Sequence, residues 1–245
     1  MSDHFPSDQE NFAVIVAGGK GLRMASLVRK QYLDLLGLPV LARTLKSFVA
    51  CKNIKTIVVV VPPQDMTFCR DTILKPQGLE PRVDLVAGGS DRQESVRNGL
   101  LAVKILREAG KSCLVMVHDG VRPFADHAMI QRCLEAAREH GAVVPVVPVK
   151  DTLVRGDKNG FAIKTIDRTG LFQVQTPQCF DFDLVLAAHD HALATCFSGT
   201  DDASLVEHLG HRVFMTQGSA ENIKITTRDD LVLARAIARL ECLEG

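Results

Sequence analysis

Neither sign of charge prevails in this chain of 245 residues: Lys and Arg together number 29, Asp and Glu also 29, for a formal net charge of zero at pH 7. That balance excludes a general binder of nucleic acid or of membrane surfaces, which leans on excess positive charge, and leaves room only for a local cationic pocket. No uninterrupted apolar stretch approaches the roughly 18 residues a membrane-spanning helix needs. The opening segment MSDHFPSDQENF lacks a basic patch leading into an apolar one, so no signal peptide is expected. Seven cysteines, at 51, 69, 113, 133, 179, 196 and 242, form no CxxC pair. With the histidines they show no metal-ligand spacing, and they read as reduced, mostly buried thiols of a cytoplasmic protein. Internal repeats and low-complexity tracts are also missing.

What is present is an ordinary globular composition, 46% hydrophobic and 24% charged, arranged in alternation. Apolar β-rich runs recur at FAVIVA (12–17), IKTIVVVVP (54–62), RVDLVAG (82–88), CLVMVHD (113–119) and AVVPVVPV (142–149). Between them lie segments of helical spacing. PVLARTLKSFVAC (39–51) sets Leu41, Leu45 and Phe48 on one face, and residues 90–110 do the same with Val96, Leu100, Val103 and Leu106. HAMIQRCLEAAREHG (127–141) ends in a helix-stopping glycine. Continuous apolar strands alternating with helices predict an α/β fold: a single Rossmann-like domain whose mostly parallel twisted sheet is covered on both faces. Residues 150–175 break the pattern with three short β-like pieces, TLVR, FAIKTI and LFQVQ, around GDKNG and DRTG turns. They predict an inserted β-arm. It packs on its own domain or reaches a second subunit.

In open α/β sheets ligands bind at the carboxyl ends of the strands. Polar sequence follows four of the strands there: GGKGLR, GGSDRQES, HDGVRP and KDT. The first is not a dinucleotide fingerprint, because Met24 stands where the third glycine belongs, and this speaks against a Rossmann-type oxidoreductase. Nor is it a Walker A loop, because Gly21 follows Lys20. It is either a structural turn or a glycine loop whose backbone N–H groups approach phosphates. Ser90-Asp91 is a natural helix cap. Asp119, a carboxylate ending an apolar strand, needs a partner such as Arg122 or a coordinated cation. His118 is read as structural, with no partner evident.

AGGKGLRM…KQYLDLLGLPVLARTL resembles the opening of the nucleotidyltransferases that activate sugar and polyol phosphates. GGSDRQESVRNGL, HDGVRPF, PVKDTL, DRTGLFQVQTPQCF, TDDASLVE and ENIKIT follow in order over nearly the whole chain. The closer resemblance is to the 2-C-methyl-D-erythritol 4-phosphate cytidylyltransferase family of the non-mevalonate isoprenoid pathway. Two positions depart from it: Gly18 where the family usually has Ala, and Arg29 where it has Pro. The resemblance implies a single domain over 1–245, with CTP and a polyol phosphate as substrates and Mg²⁺ or another divalent cation on the phosphates. It assigns Arg23, Lys30 and Lys224 to the triphosphate and the developing charge at the α-phosphorus. Their alternative is solvated or snorkelling cations. Ala17, Gly18, Gly19 and Gly21 belong to the triphosphate loop, and Gly88, Gly89, Ser90 and Ser95 to the cytosine. Asp119 is placed at the ribose and the metal, beside Arg122 on the acceptor side. Thr152, Arg168, Thr176 and Thr200 are implied at the acceptor phosphate, some of them across a homodimer interface made by the 150–175 arm. For the threonines the alternative is a cap or turn, for Arg168 an exposed charge. The acceptor separates this activity from its rival, ribitol-5-phosphate cytidylyltransferase. A uridylyl- or molybdopterin-type transferase fits the later motifs less well. A non-catalytic nucleotide-binding regulator should have lost Arg23 or Lys30, and both are present.

Overall fold

The computed structural model describes residues 9–19 and 29–244, with side chains as far as 241. In chain order the strands are β1 (Gln9–Val16), the two-residue pair β2 (Asp34–Leu35) and β3 (Leu38–Pro39), β4 (Thr56–Val61), β5 (Val83–Ala87), β6 (Ser112–Asp119), β7 (Ala142–Pro148), β8 (Leu153–Gly156), β9 (Ala162–Ile166), β10 (Phe172–Val174), β11 (Gln178–Asp181) and β12 (Phe214–Gln217). The helices are α1 (Val40–Ala50), the short α2 (Met66–Phe68), α3 (Arg92–Leu106), α4 (His127–His140), α5 (Phe182–Ala194), α6 (Asp202–His208) and α7 (Arg228–Glu244).

Eight strands form one sheet in the order β10-β7-β11-β6-β1-β4-β5, with β12 beside β7. β5, β4, β1 and β6 pair in parallel, as do β7 and β12; β10 and β11 run antiparallel. The mostly parallel sheet flanked by helices is therefore present. Its strands read as unbroken apolar runs because both faces are covered. In β1, Ala13 and Ile15 join the core under α1 and α4, while Phe12, Val14 and Val16 join the core under α3, α5 and α6. The predicted faces hold: Leu41, Leu45, Phe48, Val96, Leu100 and Val103 are buried. Leu106, at the last position of α3, is 37% exposed. A third cluster seats α7 through Ala234 and Ala238 against Leu35, Val121, Phe124 and Ile225.

The predicted arm needs a correction. TLVR and FAIKTI form the separate antiparallel hairpin β8–β9, closed through Asp157–Gly160 with Gly160 in the left-handed region. LFQVQ instead supplies β10 of the main sheet, where Phe172 to Val174 pair with Val146 to Pro148. The extended arm is thus residues 153–166. All of them are exposed except Ile166.

Helix α3 lies close on the sheet because Gly99 has no side chain: a Cβ there would stand 2.4 Å from Val14 Cγ1 and 3.0 Å from Val60 Cγ2. Overpacking of this kind costs about 1–3 kcal/mol. In a domain of this size each kcal/mol shifts Tm by about 2–4 °C. Gly99→Val is expected to lower the calorimetric Tm by roughly 3–10 °C; an unchanged Tm would show that α3 does not rest on β1 and β4 at this point.

Candidate active site

The strands β1, β4, β5 and β6 are parallel and end at the same edge of the sheet. A cavity of about 1080 Å³ opens there, at the upper end of the range of small-molecule sites. Three of the polar segments picked out in the sequence meet in it: Ala17-Gly18-Gly19, Gly88 to Ser95, and Asp119. Pro62, Pro63 and Gln64 after β4 form another wall, which the sequence did not announce. The fourth polar segment, Lys150-Asp151-Thr152, does not line the cavity and leads into the hairpin instead.

Each wall has a local cause. Ala17 N–H donates to Val60 O at 2.8 Å, and Gln31 Nε2 donates to Ala17 O at 2.7 Å. The strand end before the glycines is therefore pinned on both sides. A Cβ on Gly18 would lie 3.5 Å from Ser95 Oγ, an ordinary contact, so the family's alanine fits here as well. At Arg29 the backbone has φ −65°, the value proline imposes, and the guanidinium instead pairs with Asp65 at 2.9 Å. This segment is held by a salt bridge in place of a ring. In the second loop Asp91 caps α3 by accepting from Glu94 N–H at 2.8 Å. Ser95 Oγ accepts from Gly89 N–H at 3.1 Å and donates to Asp91 O at 2.6 Å. Glu94 accepts from Ser90 N–H and from Ser90 Oγ–H. Its side chain occupies the space a Cβ on Gly89 would need, 2.3 Å from Glu94 Cγ.

The electrostatic centre is Asp119, 6% exposed at the end of β6. Lys224 Nζ stands 2.8 Å from its Oδ2, Arg122 Nε 3.5 Å from the same oxygen, and Arg92 Nε 3.5 Å from Oδ1. Burial alone would raise the pKa of this carboxyl. Arg92, Lys224 and Arg122 outweigh burial and hold it well below the usual carboxylate range. Lys224 does not lie on a strand. It belongs to an irregular segment, 222–226, stitched to the turn after β6 by Ile225 N–H to Val121 O (3.0 Å) and by Arg122 Nη1 to Asn222 O (2.8 Å). With Asn222 and Ile225 buried on either side, the exposed position between them faces Asp119.

Of the residues singled out in the sequence, the cavity gathers Ala17, Gly18, Gly19, Lys30, Gly88, Gly89, Ser90, Ser95, Asp119 and Lys224. Gly21 and Arg23 lie outside the described residues. Arg122 stands behind Asp119, off the lining. Thr152, Arg168 and Thr200 are exposed and also off the lining, and Arg168 turns back to donate to the carbonyl of Lys150. Thr176 is buried just before β11, off the lining, and its hydroxyl is engaged within the protein. It donates to His118 Nδ1 at 2.9 Å and accepts from Asp119 N–H at 3.1 Å. His118 thus has partners after all. Its Nε2–H donates to Arg122 O at 3.0 Å, so the wholly buried imidazole clamps the Asp119–Arg122 turn from below. The sequence reading missed Arg92, although it stands in the glycine segment it marked, and the buried pair His189 and Asp202. Burial pushes the thiols of Cys69, Cys113 and Cys133 up to about 12, which makes them inert packing groups.

Among the described residues no group of three or more His, Cys, Asp or Glu could hold a metal unaided. Asp91, occupied as a cap, and Asp119 are the carboxylates lining the cavity. One carboxylate completed by phosphate oxygens and water is the usual provision for Mg²⁺. Asp119 Oδ1, which stands 3.5 Å from Arg92 Nε while Lys224 and Arg122 make their closest contacts with Oδ2, fits that role.

The family model for 2-C-methyl-D-erythritol 4-phosphate cytidylyltransferase matches residues 12–240. The chain belongs to this family. The enzyme of that name from Clostridium beijerinckii is 43% identical over 222 residues, covering 91% of this chain and 95% of that one. The one from Syntrophotalea carbinolica is 45% identical over 225 residues, covering 92% and 94%. Among solved structures, the 4-diphosphocytidyl-2C-methyl-D-erythritol synthase of Anaerococcus prevotii superposes with a TM-score of 0.79 at 32% identity, covering 95% of this chain and 97% of that one. The Thermus thermophilus cytidylyltransferase superposes with a TM-score of 0.74 at 35% identity, covering 92% and 98%. The fold is that of the family, and the chain is a nucleotidyltransferase of the cytidylyltransferase class.

Burial holds the pKa of His118 down at about 4, against 6.5 for a free imidazole. Between those values the unfolded chain binds a proton that the native state refuses, so native stability falls as the pH drops through this window. The depressed carboxyls Asp119 and Asp202 lose their contribution only below their ordinary value of 3.8. Denaturant titrations of His118→Asn at pH 7 and pH 4.5 are expected to show a smaller acid loss than the wild type. Equal losses would place the proton uptake elsewhere.

Proposed function

We propose that the chain transfers the cytidylyl group of CTP to 2-C-methyl-D-erythritol 4-phosphate, giving 4-diphosphocytidyl-2-C-methyl-D-erythritol and pyrophosphate in isoprenoid precursor synthesis. The observation that carries this is a single buried carboxylate, Asp119, set under three cations at the mouth of a glycine-lined cavity, in a chain of this family. A phosphate oxygen of the acceptor attacks the α-phosphorus. The bond to the bridging oxygen breaks, and pyrophosphate leaves with its electron pair. Two polyanions must meet, so positioning and charge stabilisation do most of the work.

In this reading Lys30, Lys224 and Arg23 receive the triphosphate and the charge that spreads from the α-phosphorus, beside the backbone of Ala17, Gly18, Gly19 and Gly21. Gly88, Gly89, Ser90 and Ser95 face the base. The N–H groups of Gly88, Gly89 and Ser90 are already engaged, with Val61 O, Ser95 Oγ and Glu94 Oε2. Recognition therefore falls to acceptors such as the loop carbonyls, which suit the 4-amino group of cytosine and not the 4-oxo group of uracil. Mg²⁺ or another divalent cation would be held by Asp119 together with the phosphates, where it neutralises their charge. Arg122, Arg168, Thr152, Thr176 and Thr200 are assigned to the acceptor side, some of them acting from a second subunit.

The hairpin supports a homodimer: Val154, Phe161 and Ile163 are 50%, 71% and 62% exposed on it, an apolar surface that a partner would cover. A cytoplasmic setting agrees with the absence of disulfides among the described residues and with buried thiols such as Cys133 and Cys179. No described helix is long and apolar enough to cross a membrane.

The test is pyrophosphate release from CTP and Mg²⁺, with methylerythritol phosphate and ribitol 5-phosphate offered separately. Release with methylerythritol phosphate is expected, and release only with ribitol phosphate would move the chain to the rival acceptor. Lys30→Ala and Arg23→Ala are each expected to lower kcat by roughly a hundredfold or more at unchanged Tm, as when transition-state charge loses a partner. Near-normal turnover in either variant would remove that residue from the mechanism.

A further inference from the structure

Arg92, the first residue of α3, faces two buried carboxylates. Its Nη2 lies 2.8 Å from Asp202 Oδ2, and its Nε 3.5 Å from Asp119 Oδ1. Asp202, the first residue of α6, is wholly buried, and its other oxygen lies 3.1 Å from Nε2 of His189 on α5. His189 is equally buried, and its Nδ1 has no hydrogen-bond partner. The ring therefore donates from Nε2 to Asp202 as its one hydrogen bond. The result is a chain of contacts, His189–Asp202–Arg92–Asp119, running from the core to the cavity.

Buried charge is a costly way to dock a helix, and two side-chain amides, Gln178 and Gln93, already dock it by hydrogen bonds. Gln178 donates to Asp201 at 2.7 Å and accepts from Ala203 N–H at 3.1 Å, which ties the start of α6 to β11. Gln93 ties α3 to the turn before α6 through Gly199 N–H and Phe197 O. What the ionic chain adds is a direction. Asp202 holds the guanidinium by its strongest contact and so keeps it from closing on Asp119 as a bidentate fork, the geometry an Arg–carboxylate pair otherwise adopts.

We propose that Asp202, backed by His189, is a positioning residue that holds Arg92 away from Asp119, so that Asp119 keeps one oxygen available to the nucleotide and its divalent cation. The inference rests on the cytidylyltransferase reading.

CTP binding to the purified protein is measured by calorimetry with Mg²⁺ and with EDTA, beside Tm and pyrophosphate release. In the wild type Mg²⁺ tightens CTP binding. In Asp202→Asn the guanidinium closes on Asp119. The Mg²⁺-dependent gain is expected to fall by roughly tenfold or more, as when the support of a ligating group is lost, with affinity in EDTA unchanged within about threefold. Adding Arg92→Gln to Asp202→Asn removes the group that closes, and is expected to bring the gain back to that of Arg92→Gln alone. A purely structural role predicts no such rescue. An intact Mg²⁺-dependent gain in Asp202→Asn overturns the inference while leaving the activity untouched, whereas a wild type that neither binds CTP nor releases pyrophosphate overturns the cytidylyltransferase reading itself. Should Asp202→Asn fail to fold, the neutral pair is compared directly with Arg92→Gln: equal gains support the inference, and a further tenfold loss, on the scale of such second contacts, overturns it.

Discussion

The site depends on one buried carboxylate being kept ionised. Asp119 stands at the end of an apolar strand, where burial favours its neutral form, and three cations reverse that preference. They come from separate places: Arg92 from the start of α3, Arg122 from the turn after β6, Lys224 from the segment before α7. A lone buried charge would be a large liability, and so would three uncompensated cations. Each group therefore makes the others tolerable, and together they fix the relative placement of three parts of the chain.

The turn that carries Asp119 is braced from below by hydrogen bonds. His118, Thr176 and Asn222 pack beneath this turn, and three of their hydrogen bonds stiffen it: His118 to Arg122 O, Thr176 to Asp119 N–H, Asn222 Nδ2 to Thr176 O at 2.8 Å. On the opposite wall Ser95 and Glu94 consume the N–H groups of Gly89 and Ser90. A cavity built this way is organised before a polyanion enters, so little of the binding energy is spent ordering it.

The parts visible in the sequence are those whose cause is local. FAVIVA and CLVMVHD read as buried strands because both faces of β1 and β6 meet apolar neighbours. Ser90-Asp91 read as a cap because a cap needs only the next turn of helix, and Asp91 does accept from Glu94. The errors fall where distant chain decides. LFQVQ looked like part of the arm, yet β7 offered it a sheet edge. The hydroxyl of Thr176 finds its partner in His118, 58 positions away. Arg92 was overlooked because its carboxylates lie 27 and 110 positions further along the chain.

By itself the sequence determined the layered α/β arrangement, the strand ends at which polar loops would gather and the family to which those loops belong, since all of these follow from hydrophobic period, glycine placement and motif order. Only the tertiary structure decided which polar groups line the cavity, that Lys224 and Arg92 converge on Asp119, and that Thr176 bonds to His118. The physical reason is that hydrogen bonds and ion pairs are made in space. The pairings that set a charge or spend a hydroxyl join residues tens of positions apart, and no local pattern in the chain records them.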